Sequence, residues 1–221
     1  PENFMGGHPF DNGDLKVRDE VLADFPRDPN DTKRHIAEYF AMVTHLDAQI
    51  GRVLDTLEKT GKADNTIVVF AGDNGLAVGQ HGLFGKQNMY EHSVRVPMVM
   101  RGKGVPQGER RDAYAYVLDI FPTLCDLIGV DIPDTVEGKS LVSALNDADF
   151  HVRDTFFSAY RQYQRMVKDD RYKLIEYVVD GRRTTQLFDL QNDPLELHNL
   201  ADAPAHSDTL SKLRDILFQW R

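Results

Sequence analysis

The stretch Thr66-Ile67-Val68-Val69-Phe70-Ala71 runs without polar alternation straight into Gly72-Asp73-Asn74-Gly75, and no other segment limits the fold so strongly. An apolar and β-branched run with no period-two pattern predicts a central parallel strand covered on both faces. The glycine-flanked Asp-Asn pair then falls at the carboxyl end of that strand, where open α/β sheets bind their ligands. Just upstream, Ile36, Tyr39, Phe40, Val43, Leu46, Ile50, Val53, Leu54 and Leu57 recur at helical spacing after Asp31-Thr32 and stop before Gly61. This predicts an amphipathic helix, and helix followed by strand is half of a crossover unit.

The flanks are read the same way. Residues 1–31 carry Gly6-Gly7, Pro9, Asn12-Gly13, Pro26 and Pro29-Asn30-Asp31, which predicts a long surface loop. Pro97 to Met100 is a second buried strand, Tyr114 to Val117 a weaker one, and Asp119 caps a helix reaching Ile128 before Gly129. A short helix follows near Leu141 to Leu145. After residue 150 the pattern changes. Thr155 to Tyr160, Gln164 to Lys168, Tyr172 to Val179 and Thr184 to Leu190, separated by Asp-Asp and Asp-Gly turns, predict an antiparallel meander. A closing helix with Leu210, Leu213, Ile216, Leu217 and Trp220 on one stripe would pack on it. The division is therefore 1–150, an α/β part, and 151–221, a small α+β part. Because 1–150 holds only two or three convincing parallel strands, the first half of its sheet is expected upstream of Pro1.

Composition excludes several classes. An excess of Asp and Glu (35) over Lys and Arg (26) argues against a nucleic-acid surface. No apolar run is long enough for a membrane span. A single cysteine, Cys125, excludes an internal disulfide framework and sits on an apolar helix stripe as a core residue.

The chemistry concentrates between 73 and 95. Asp73 offers a charged oxygen and Asn74 a neutral one, donors that suit calcium or magnesium better than zinc. The same Asp-Asn-Gly run also makes an ordinary turn. Lys86 can neutralise an anion as a compact point charge, or simply solvate a surface. His81 can donate a proton to a leaving oxygen, hold the anion, or serve as a structural histidine. Arg95 can pair within the fold as well as with a ligand, and the roles of His8 and His92 stay open. A long glycine-punctuated loop after a buried strand, with cation ligands at its start and cationic groups along it, has the form of a functional loop.

Taken together, several runs resemble one family. Gly72-Asp73-Asn74-Gly75, then Gly79-Gln80-His81-Gly82-Leu83-Phe84-Gly85-Lys86, then Tyr90-Glu91 and Arg95-Val96-Pro97 look like the second half of the catalytic domain of type I sulfatases, the formylglycine-dependent, arylsulfatase-like branch of the alkaline phosphatase superfamily. Asp47-Ala48-Gln49-Ile50-Gly51, Asp119-Ile120-Phe121-Pro122-Thr123-Leu124, Gly138-Lys139-Ser140-Leu141 and Leu187-Phe188-Asp189-Leu190 with Asn192-Asp193-Pro194 extend the resemblance over nearly the whole chain. The resemblance implies an α/β fold: part of an alkaline-phosphatase-like mixed sheet flanked by helices, plus a small C-terminal antiparallel sheet with a packed helix. It implies that Asp73 and Asn74 are calcium ligands, that Lys86 contacts sulfate, and that His81 contacts sulfate or the leaving group. The substrate would be a sulfate ester, on an aryl group or a sulfated glycan, and the setting periplasmic, secreted or lysosomal.

One departure stands out. The family's nucleophile arises from Cys or Ser in a Cys/Ser-x-Pro-x-Arg run, yet Cys125 opens Cys-Asp-Leu-Ile-Gly and no serine opens that pattern. The resemblance therefore places the nucleophile and a pair of calcium-binding aspartates in a missing N-terminal half, and these residues alone are expected to be inactive. Two alternatives compete. One is a phosphodiesterase or phosphonate hydrolase of the same superfamily. The other is a noncatalytic glycan-binding fold using the basic residues Arg161, Arg165, Lys168, Arg171 and Lys173.

Overall fold

The computed structural model describes residues 1–220. Its residues group into two compact units that are not contiguous in sequence: Pro1–Tyr39 with Asn74–Val96 and Thr155 onward, and Phe40–Asp73 with Pro97–Asp154. The 74–96 segment thus joins the C-terminal sheet, although sequence alone assigns it to a contiguous 1–150 part. No helix among the described residues is long and apolar enough to cross a membrane.

In the first unit four strands, β5 (Phe156–Tyr160), β6 (Gln164–Lys168), β7 (Tyr172–Val179) and β8 (Arg182–Asp189), pair antiparallel in chain order. This is the expected meander, and its middle strands β6 and β7, with the second half of β8, alternate two buried faces. Met166, Ile175, Tyr177 and Phe188 meet Ala77, Leu83, Met89 and Tyr90 of the 74–96 segment. Val167, Leu174 and Leu187 meet Leu213 and Leu217 of the closing helix α5 (Ser207–Gln219), while Trp220, just beyond it, stacks on Phe157 at 5.2 Å. The period-two geometry of a strand makes consecutive residues such as Met166 and Val167 serve opposite layers. One face of the sheet is therefore a floor for the segment that carries the chemistry.

In the second unit, β1 (Val68–Ala71) pairs with β4 (Met98–Arg101). The pairing is antiparallel, with Phe70 opposite Val99, and both are exposed, at 41% and 60%. This corrects the expectation of a parallel strand covered on both faces. A continuous apolar run records that both faces are apolar, but not the direction of its partner, and among the described residues β4 is the one strand beside it. The Tyr114–Val117 strand is also absent: the chain there turns into a short helical turn, Val117–Asp119, because the Asp119 carboxylate accepts the Tyr116 N–H at 2.8 Å. That carboxylate, fully buried, also takes Lys139 N–H and a bidentate Arg153 at 2.7 Å. Helix α3 (Ile120–Ile128) follows and ends at Gly129 as expected, and α4 (Val142–Asn146) is the short helix expected nearby.

Helix α1 (Pro29–Lys59) contributes its first turns to one unit and the rest to the other. It begins earlier than its apolar stripe suggests. Asp28 Oδ1 accepts the N–H groups of Asn30 and Asp31 at 2.8 and 3.0 Å, so Asp28 caps the helix and Pro29 fills the first position, where no N–H is needed. Further along it, Met42 and Val53 remain exposed at 63% and 68%.

Candidate active site

The site segment leaves β1 through Gly72, whose N–H donates to Pro97 O at 3.1 Å. Asp73 and Asn74, the next residues, are both exposed to solvent. Immediately after them the chain is drawn against the backbone of α2 (Glu91–Val94): Gly75 N–H donates to Ser93 O and Leu76 N–H to His92 O, each at 2.8 Å. A Cβ on Gly75 would lie 2.0 Å from the His92 carbonyl oxygen, so only glycine permits this approach.

From Ala77 to Gly85 nearly every residue is buried. The two-residue strands β2 (Ala77–Val78) and β3 (Phe84–Gly85) form a small hairpin, and Lys86, directly after it, is exposed. Gly82, with φ of +73°, lies so close to the 7–8 backbone that an added Cβ would be 2.2 Å from the Gly7 carbonyl carbon.

His81 lies in the buried part of this segment. It is 5% exposed, with φ of +51°, and its ring stacks on Tyr90 at 3.9 Å and 6°. Its N–H donates to Asn3 O at 2.7 Å, Asn3 Nδ2 donates to its Nε2 at 3.3 Å, and its carbonyl accepts from His8 Nδ1 at 3.1 Å. His92 lies 5.8 Å away, ring to ring. Burial lowers all three imidazoles, to about 4 for His8 and His81 and about 3 for His92, so the trio is neutral at physiological pH. Arg95 is exposed.

Two buried charge networks hold this segment, and the sequence marks neither with a pattern. In the first, Glu91 accepts Lys168 and Lys173 Nζ at 2.9 Å each, and Lys173 also reaches Glu196 at 2.7 Å. Burial would raise the Glu91 carboxyl, but the two ammonium groups overcome it and hold it at about 2. Two of the five residues of the expected basic face on the meander are thereby taken inside. Lys168 and Lys173 are internal, while Arg171 is bonded to Asp189 at 2.7 Å and Arg161 lies 3.3 Å from Asp14, both arginines half-exposed; no local pattern reveals these acidic partners.

In the second network, Glu20 and Arg27 form an ion pair with both side chains buried. Glu20 Oε2 accepts the Phe84 N–H at 2.9 Å, and Arg27 Nε donates to Gly82 O at 3.1 Å. Arg27 also lies over the rings of Phe25 and Phe84, at 3.7 and 4.8 Å. Beside them Gln87 Nε2 donates to Asp19 Oδ2 at 3.0 Å, while Gln87 Oε1 accepts the Lys86 N–H at 3.1 Å. These acidic and basic groups come from the turn-rich N-terminal stretch, which carries no periodicity to single them out.

Residues 3–130 match the sulfatase family, and residues 79–221 match the family described as N-sulphoglucosamine sulphohydrolase, C-terminal. The chain belongs to the sulfatase family. It is 32% identical to a choline-sulfatase from Rhizobium meliloti (strain 1021), covering 96% of this chain and 43% of the relative. A solved structure described as a complex with its substrate D-glucosamine-2-N,6-O-disulfate superposes with a TM-score of 0.80 at 28% identity, over 94% of this chain and 43% of that one. A phosphonate monoester hydrolase from Silicibacter pomeroyi superposes with a TM-score of 0.71 at 28% identity, over 80% and 39% of the two chains. This sulfatase chain thus spans well under half the length of these relatives, and its mixed α/β architecture is that of the alkaline-phosphatase-like sulfatases.

The donor chemistry at 73–74 fits a hard cation: a carboxylate and an amide oxygen, both exposed. Among the described residues no group of three or more His, Cys, Asp or Glu is arranged to hold a metal ion. Asp73 and Asn74 are two oxygen donors, fewer than the roughly six to eight that calcium takes.

Proposed function

We propose that this chain supplies the anion-facing, metal-binding portion of a sulfuric ester hydrolase. Asp73 and Asn74 would hold a calcium ion, which when bound polarises a sulfate oxygen and offsets charge on it. Calcium takes roughly six to eight oxygen ligands, so the remainder would come from other parts of the full-length protein and from water. Lys86 would meet the same anion, where a fixed ammonium is worth most as charge spreads over the sulfuryl oxygens. The nucleophile would likewise come from polypeptide outside these residues, since no Cys/Ser-x-Pro-x-Arg run occurs in them.

The observation that carries this reading is exposure. In a segment buried almost throughout from Ala77 to Gly85, Asp73, Asn74 and Lys86 are the charged or amide groups left at the surface before and after it. For His81, burial, a neutral ring and the stack on Tyr90 favour supporting the hairpin over transferring a proton. The substrate class is a sulfate ester. A sulfated sugar is the preferred form, because a structural relative was solved with a disulfated glucosamine.

The test is turnover by the full-length protein of matched sulfate, phosphate diester and phosphonate monoester substrates, with and without chelator. Preference for the sulfate ester, lost on chelation and regained with calcium, supports the reading. Preference for the phosphonate would transfer it to the chemistry of the hydrolase relative. Residues 1–221 alone are expected to give no turnover.

A further inference from the structure

Lys86 is a long, flexible side chain on the surface, yet the backbone that carries it is bonded at three points, the last of them through a side chain that is itself held. Gly82 O is held by Arg27, Phe84 N–H by Glu20, Lys86 N–H by the side chain of its neighbour Gln87, and that side chain in turn by Asp19. Three of these partners, Asp19, Glu20 and Arg27, come from one short stretch of the N-terminal segment. A hairpin of two-residue strands needs no buried Glu–Arg pair for its own stability, and desolvating one is costly. The cost is better explained by what it fixes. We infer that Asp19, Glu20, Arg27 and Gln87 form a positioning clamp that aims the Lys86 ammonium at an oxyanion, with Gln87 as its outermost latch. This rests on the reading that Lys86 meets the substrate anion.

The latch has a defined polarity. The Gln87 amide nitrogen faces a carboxylate and its oxygen faces a main-chain N–H, so the residue must both donate and accept. Asp19 is held ionised: the bonds from Gln87 and then Arg18 lower its pKa, with Lys86 adding to the attraction. A carboxylate at 87 would still accept the Lys86 N–H but would be driven away from Asp19. An amide at 19 would restore a donor to face it, with no change in net charge.

The experiment uses the full-length protein, an aryl sulfate as substrate and inorganic sulfate as a competing anion. Q87E is expected to lower kcat/KM and weaken inhibition by sulfate, each on the order of tenfold, as for a group displaced by a fraction of an ångström. D19N/Q87E is expected to recover both to within about threefold. Q87A, which introduces no repulsion, should give a smaller loss in the same direction and covers the case in which Q87E does not fold. Losses in Q87E that D19N fails to repair would overturn the clamp, as would Q87E or Q87A indistinguishable from the parent while K86A is crippled. K86A that keeps both parameters would instead remove the reading of Lys86 itself.

Discussion

The ammonium of Lys173, fully buried in the four-stranded sheet, lies 2.9 Å from a carboxylate oxygen of Glu91, on the short helix that closes the site segment. Glu196 takes the same ammonium from the other side at 2.7 Å. Removing the lysine leaves two carboxylates without their shared partner, and breaking a buried pair costs about 3–5 kcal/mol. K173M is therefore expected to lower unfolding free energy by about that amount in denaturant titration, and K173M/E196Q to recover part of it.

Acid should loosen the same region. The folded-state pKa values of His8, His81 and His92 are depressed from 6.5 to about 4, 4 and 3 by burial. Below pH 6.5 the unfolded chain takes up protons that the folded chain refuses, so stability falls as pH drops from 6.5 towards 4. Acting alone, the shifts would correspond to about 3 kcal/mol for His8 and His81 and about 5 kcal/mol for His92. Glu20 works in the opposite sense: burial raises it to about 7, so between pH 7 and 4.5 its protonation favours the folded state. Glu196, which burial also raises, acts with Glu20; these two carboxyls oppose the three histidines, and the expected outcome is a net fall. Melting temperatures measured between pH 7.5 and 4.5 check it, and replacing His92 by a neutral residue should flatten the acid limb.

At the surface, K86A and D73N are expected to reduce kcat by about 10²–10³, the usual cost of removing one group that stabilises an oxyanion. The two should part on calcium addition. Excess calcium should partly restore D73N, whose metal affinity is weakened, and leave K86A unchanged. Steady-state kinetics across a calcium titration of the full-length protein would show the difference.

H81N separates support from proton transfer. Asn tolerates the left-handed backbone at this position but loses the ring stack on Tyr90, worth about 0.5–1.5 kcal/mol. A lower melting temperature with kcat within a few-fold of the parent is the expected result. Loss of about 10²–10⁴ in kcat, with the basic limb of the pH profile altered, would instead mark a general acid.

Local signals were readable wherever one element explains itself. The meander, the closing helix and the end of α3 at Gly129 followed from alternation, helical spacing and a terminal glycine, because each is decided within a few neighbouring residues. What failed to show was pairing between distant residues. The direction of β1 depends on β4, and the fate of Lys168 and Lys173 depends on Glu91, far off in the chain. Asp73, Asn74 and Lys86 stood out by residue type after a strand. Glu20 and Arg27 did not, since a buried ion pair in a loop has no period and its partners, Gly82 O and Phe84 N–H, are main-chain atoms that any sequence possesses.

Phe70 and Val99 face each other across the β1–β4 pair and both lie open, with Met42 and Val53 of α1 also uncovered in the same unit. The Phe70–Val99 pair is exposed apolar surface of the kind that favours association in water. At high concentration these 221 residues should therefore behave as a sticky solute, with light scattering that grows faster than in proportion to protein added.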